Sequence, residues 1–139
     1  MKCNIDYPIE VEKAWGKEIW MANNELYCGK KLILNKGKRC SLHYHKLKDE
    51  TFYLESGRIF LEIGDDKMFV NPGESIRVYP LTNHRFSGLE NSVIIEISLH
   101  HEDDDSYRIP GENSGDIPED LLKRIQELNM GGFYNKPSK

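Results

Sequence analysis

Long apolar runs are missing from this 139-residue sequence; the most hydrophobic stretch, around Val93-Ile94-Ile95, falls far short of the roughly 20 residues a membrane helix needs. The Met1 end carries no apolar segment of the signal-peptide kind, so the expectation is a cytoplasmic protein with no membrane partner. Cysteine is scarce and odd in number. Cys3, Cys28 and Cys40 show no paired spacing, which excludes a disulfide framework and predicts free thiols in a reducing compartment. Excess positive charge is also absent: 19 Lys and Arg against 23 Asp and Glu leave a formal charge of −4, with the signs interspersed. A nucleic-acid binder needs a concentrated basic face, so no nucleic-acid partner is expected. The apolar fraction of 38% is modest, but these residues cluster, which argues for a folded core. A chain of this length buries roughly two thirds of its unfolded surface without staples, so any metal site here needs a reason other than holding the fold together.

What the middle of the chain does contain is a succession of short β-prone runs. Lys31-Leu32-Ile33-Leu34 ends at Asn35-Lys36-Gly37, followed by runs over 40–45, 51–55, 59–63, 68–70, 75–79, 84–86 and 93–99, each broken by turn residues. That pattern predicts an all-β antiparallel sandwich or barrel over residues 26–100. Residues 1–25 read as an N-terminal extension in which 18–21 supplies an edge strand. Residues 101–139 read as an acidic segment followed by one amphipathic helix, the whole forming one domain. The helix starts near Asp116-Ile117-Pro118-Glu119-Asp120, repeats Leu121, Leu122, Ile125 and Leu128 on one face, and runs about three turns to Gly131-Gly132.

His43-Tyr44-His45 is the informative tripeptide. Alternate side chains of a strand share a face, so His43 and His45 point together while Tyr44 points away. Glu50 follows after a turn long enough to reverse the chain, and His84 heads a distant strand after Pro80-Leu81-Thr82-Asn83. Three imidazoles and one carboxylate suit one divalent ion of Mn, Fe, Zn, Ni or Co. By the same parity Glu96, between Ile95 and Ile97, faces opposite to them, and at most one of Lys30 and Lys31 can face inward. Lys48 and Arg85 flank the candidate ligands and are candidates to hold a phosphate or carboxylate. Trp15 reads as a packing anchor and Cys40 as a buried thiol.

The spacing Gly37-x5-His43-x-His45-x4-Glu50-x6-Gly57 resembles the first motif of the cupins at every marked position. The second motif is matched by Gly73 and His84, while Pro80 lies one position nearer the histidine than usual and Leu81 stands where the family has glycine. The resemblance implies a small double-stranded β-helix, a jelly-roll barrel with a metal inside its mouth. Lys13 to Glu18, Lys30 to His43, and Ile95 to Ser98 followed by Glu102 to Asp105 further resemble the type II phosphomannose isomerase cupin and D-lyxose isomerase. On that resemblance Lys30 is the inward lysine, and Lys30 and Glu96 are the expected acid and base, on opposite sides of a sugar carbonyl. Tyr107 and Arg108 either fold back over the mouth, with Arg108 touching substrate, or belong to a mobile linker.

The function implied is a metal-dependent aldose-ketose isomerase of a sugar or sugar phosphate, in which the ion polarises the carbonyl and a base moves a proton through an enediol. Two alternatives stand beside it. One is a non-catalytic sugar or nucleotide-sugar binding module; the other is a non-haem iron oxygenase, since two histidines and a carboxylate also form that facial site. A homodimer joined at the N-terminal edge is the expected assembly.

Overall fold

The computed structural model describes residues 3–130. Its strands are, in chain order, β1 Ile9–Lys13, β2 Gly16–Asn23, β3 Cys28–Leu34, β4 Lys38–Arg39, β5 His43–Tyr44, β6 Glu50–Ser56, β7 Ile59–Ile63, β8 Asp66–Val70, β9 Ser75–Val78, β10 His84–Gly88, β11 Ser92–Ser98, β12 Tyr107–Arg108 and β13 Gly115–Asp116. A single 3₁₀ turn, Asp103–Asp105, and the helix α1, Glu119–Met130, complete the described elements. One sheet runs β1-β2-β3-β11-β6-β9; the other runs β12-β5-β10-β4-β13, with β7 and β8 extending from β10. Turn spacing predicts an antiparallel sandwich or barrel, and the family resemblance implies the jelly roll that these two sheets form. No described helix is long and apolar enough to cross a membrane.

Strand parity builds the interior. On β3 the inward residues are Cys28, Lys30, Leu32 and Leu34, and on β11 they are Ser92, Ile94, Glu96 and Ser98. Register pairs Ile94 with Leu32 and Leu54, and Glu96 with Lys30 and Phe52. The inner face therefore changes from apolar to charged along the strands. At the apolar end Leu34, Leu54, Leu61, Val70 and Ile94 close the core, and Trp15 packs edge-on against Phe86 at 5.2 Å. The charged end stays open as a cavity.

Gly57 at φ +88° shows why the first motif needs glycine: a Cβ there would lie 2.3 Å from Ser92 Oγ and 2.5 Å from Asn91 O. Leu81, standing in the second motif where glycine is usual, takes a left-handed φ of 65° with its side chain exposed. Its backbone N–H donates to His45 O at 2.7 Å, which ties the turn before His84 to the end of the His43–His45 segment.

Three expectations change. The segment 18–21 is not an edge: β2 lies between β1 and β3, so β1 is the edge strand. The run over 40–45 is two short strands rather than one, because β4 and β5 pair separately with β10 and leave residues 40–42 between them. Residues 102–115 are no mobile linker: β12 pairs with β5, β13 with β4, and Tyr107 stacks on Tyr44 at 5.2 Å. Helix α1 begins at Glu119, within its start signal, and its expected glycine stop lies outside the described residues.

Candidate metal centre and its cavity

His43 and His84 are direct cross-strand partners on β5 and β10, and His45 follows immediately after β5. The three rings offer ligand atoms that all lie within 4.8 Å of one another. Glu50, at the head of β6, places Oε2 3.1 Å from His45 Nε2 and 3.8 Å from His84 Nε2. Each imidazole is oriented by a backbone carbonyl: Nδ1 of His43 donates to Ser41 O at 2.8 Å, that of His45 to Asp105 O at 2.9 Å, and that of His84 to Thr82 O at 2.9 Å. Those bonds place the proton on Nδ1 and leave every Nε2 a lone pair aimed at the shared space.

Whether these residues fit a metal can be tested on two buried atoms. Glu50 Oε2 and His84 Nε2 are shielded from solvent and have no hydrogen-bond partner among the described residues. Converging acceptors of this kind repel one another unless a cation lies between them. Burial, together with His84, pushes the His43 pKa down to about 3, and burial lowers that of His84 against the pull of Glu50. Burial works to raise the Glu50 pKa, but the contact with His45 and the charge of Lys48 hold it below the usual carboxylate range. Neutral imidazoles at His43 and His84 and an ionised carboxylate at Glu50 are the forms that ligate, so the donor set fits one divalent ion.

Three of the four candidate ligands, His43, His45 and Glu50, line a cavity of about 510 Å³. Lys48 is 3% exposed, buried rather than a solvated strand-end charge, and its Nζ donates to Glu96 Oε2 at 3.1 Å and to His101 Nδ1 at 3.0 Å. Ser98 Oγ donates to the same Glu96 oxygen at 3.0 Å. His101 Nε2 lies 2.9 Å from Asp103 Oδ1, completing a chain Glu96–Lys48–His101–Asp103. Burial opposes the charge on Lys48, but Glu96 and Glu50 outweigh it and its pKa rises above the ordinary lysine value. Burial, with the neighbouring Lys48 and Lys30, lowers that of His101, so the imidazole accepts from the ammonium and passes its own N–H to Asp103.

Lys30, 1% exposed, forms a second pair with Glu18 at 3.2 Å and lies 4.3 Å above the Trp20 ring, whose Nε1 donates to the same Glu18 oxygen at 2.8 Å. Lys31 instead turns outward toward Glu55. Lys30 and Glu96 are adjacent on one wall of the cavity rather than on opposite sides, because β3 and β11 pair with those residues in register. Arg108 lines the rim with an exposed side chain. Arg85 does not join them. It follows His84 on β10, so parity turns it to the outer face, where Nε donates to Cys40 O at 2.9 Å and an η-nitrogen to Glu112 at 2.9 Å. Cys40 touches the cavity, but burial pushes its thiol up to about 12, which removes it as a nucleophile.

Sequence reading missed Glu18, His101 and Asp103 as lining residues, and Trp20 as the ring against which Lys30 lies. Parity on β2 could have signalled Glu18 and Trp20. Nothing local marks His101 and Asp103, which arrive only because the chain returns after β11. Asp105 is a further member outside the cavity: its carboxylate accepts from the N–H groups of Lys46, Leu47 and Lys48 while its carbonyl orients His45.

Residues 31–98 match the protein family described as Cupin domain. That match covers just under half of the 139-residue chain, the part that holds the candidate ligands. Solved structures similar to this chain include KdgF from Halomonas sp., with a TM-score of 0.65 at 18% identity over 73% of this chain and 98% of that one. An RmlC-like cupin from Shewanella frigidimarina gives 0.64 at 16% identity over 70% and 87%. Pac13, a nucleoside dehydratase, gives 0.66 at 11% identity over 77% and 92%. At these identities they establish the fold. A curated relative, the D-lyxose/D-mannose isomerase of Thermosediminibacter oceani, is 27% identical over 134 aligned residues, spanning 76% of this chain and 69% of the relative.

Proposed function

We propose that this cupin is a metal-dependent isomerase that interconverts an aldose and a ketose, as a free sugar or a sugar phosphate. The observation that carries the reading is a buried carboxylate–ammonium pair, Glu96–Lys48, in the same cavity as a donor set fit for a divalent ion. The name of the isomerase relative supports it. A divalent ion held by His43, His45, Glu50 and His84 would supply Lewis-acid polarisation of a sugar carbonyl.

The remaining work falls to the chain. Both hydrogen bonds to Glu96 go to Oε2, so Oε1 is the oxygen free to take the proton from the carbon beside the carbonyl and return it to the neighbouring carbon. Lys48 bridges Glu96 and His101 and fixes the Glu96 carboxyl through Oε2. The Lys30 ammonium, fixed by Glu18 and the Trp20 face, is the donor on the same wall for the sugar oxygen that changes between carbonyl and hydroxyl. Arg108 at the rim is the side chain that meets the distal end of the substrate.

Incubation with pentoses, hexoses and their phosphates in deuterated water tests this. Wild type is expected to give ketose with deuterium bound to carbon. Glu96→Gln should retain the metal but lose about 10²–10⁴-fold in rate, since the amide cannot take a proton. Absence of both ketose and carbon-bound deuterium across the panel would leave a binding module that captures a sugar without turning it over.

A further inference from the structure

Six buried side-chain atoms among the described residues lack a hydrogen-bond partner, and two of them, Glu50 Oε2 and His84 Nε2, belong to the candidate metal centre. The other four are Arg39 Nε, Glu62 Oε2, Arg85 Nη2 and Ser87 Oγ. Register brings them to one place. Arg39 and Ser87 are direct partners on β4 and β10, Arg85 and Glu62 are direct partners on β10 and β7, and Arg85 and Ser87 lie two positions apart on β10. Parity therefore turns all four side chains to the outer face of the second sheet, away from the cavity. Arg85 is 3% exposed and Ser87 0%. Arg85 Nη1 donates to Glu112 Oε2, so its charge is met, whereas Arg39 forms no ion pair among the described residues. Burial and the facing charge of Arg85 lower the Arg39 pKa in spite of Glu112 and Glu62, which marks a positive charge short of a partner.

We propose that these groups form a binding site for a small oxyanion that retains one proton, hydrogenphosphate or hydrogencarbonate. Three of the four unpartnered atoms, Arg39 Nε, Arg85 Nη2 and Ser87 Oγ, carry a hydrogen to donate, and two belong to guanidinium groups; together they call for an oxygen-rich anion. The fourth, Glu62 Oε2, is an acceptor and needs an O–H. A halide or a fully ionised anion leaves Glu62 facing a like charge, and a metal cation is repelled by the two guanidinium groups. A monoprotonated oxyanion meets all four: its ionised oxygens accept from the two arginines and the serine, and its one O–H donates to Glu62. Water molecules can fill the same hydrogen-bond pattern but leave the Arg39 charge uncompensated. On β10 the site lies behind His84, on the opposite face. Arg85 Nε also donates to Cys40 O at 2.9 Å, and the Glu112 carbonyl accepts from Leu42 N–H at 3.1 Å, so an anion bound here fastens the 40–42 segment that leads into His43.

Isothermal titration and thermal unfolding with phosphate, hydrogencarbonate, sulfate and chloride, near neutral pH and at matched ionic strength, test the site. Phosphate or hydrogencarbonate is expected to bind at one per chain and to raise the melting temperature by several degrees, and the tighter of the two identifies the anion. Sulfate, which holds no proton at that pH, and chloride are expected to give no such rise. His45→Ala should keep the binding, which separates it from an anion ligated at the metal centre. Arg39→Gln and Ser87→Ala should each weaken it about tenfold or more, with circular dichroism and metal content unchanged. Ser87→Ala removes only a hydroxyl and keeps the test decisive if Arg39→Gln folds poorly. Equal melting temperatures in all four salts would overturn the inference and assign the four groups to ordered water. Sulfate matching phosphate, binding lost in His45→Ala, or binding that survives both outer-face substitutions would overturn it as well.

Discussion

His45 concentrates the metal argument in one side chain: its Nδ1 is held by Asp105 O and its Nε2 faces Glu50 Oε2 at 3.1 Å. His45→Ala removes one of four converging donors and should abolish stoichiometric binding of a divalent ion, read as metal content per chain after chelator challenge. One tightly held ion per chain in that variant would exclude the assignment. Asp105 acts one step further out. Asp105→Ala removes the acceptor of three backbone N–H groups and should cost about 1–3 kcal/mol in denaturant unfolding. Metal affinity should fall about 10–100-fold, because the same loop sets the His45 ring. An unchanged affinity would show that β5 alone orients the imidazole.

At the scale of elements, α1 and the barrel mouth are energetically separate. Ile125 is 1% exposed and packs with Phe60 and Phe69 on the outer face of the second sheet, away from the inward histidines. Ile125→Ala should therefore destabilise the fold by about 2–4 kcal/mol in urea unfolding, through lost burial and the cavity left behind. Metal content should stay at the wild-type level. Loss of both together would mean that the helix also supports the mouth.

For the whole molecule the buried titratable groups set an acid limit. His43, with a folded pKa of about 3, and His84, also lowered, bind fewer protons folded than unfolded below the ordinary histidine range. Stability is therefore full above about pH 6.5 and falls as pH drops toward 3. Glu50 and Asp105 have lowered folded pKa values and lose stability in the same direction, through the carboxylate range. The melting temperature of chelator-treated protein should decline from pH 7 to pH 4, and less steeply in a His43→Gln variant. A divalent ion at about 100 times its dissociation constant should add about 2.7 kcal/mol at neutral pH, a rise of several degrees that chelator reverses. A melting temperature indifferent to both pH and metal would contradict the ligand set.

Strand parity is a local property with a period of two, and for that reason the sequence by itself determined which side chains share a face. The shared face of His43 and His45, the opposition of Glu96 to Ile95 and Ile97 and that of Lys30 to Lys31 follow from it, while the family resemblance singled out Lys30 as the inward lysine. Turn residues likewise marked most of the barrel strands, but not β1, β12 or β13, nor the division of 40–45 into β4 and β5. Only the tertiary structure decided which faces meet. Insertion of β11 between β3 and β6 put Glu96 beside Lys30, and the return of the chain after β11 brought His101 to Lys48. Parity gave Arg85 the face opposite His84, but only the segment around Glu112, packed on that outer face, made it buried and structural. These are contacts between residues tens of positions apart, selected by sheet order and packing, and no period within a strand encodes them.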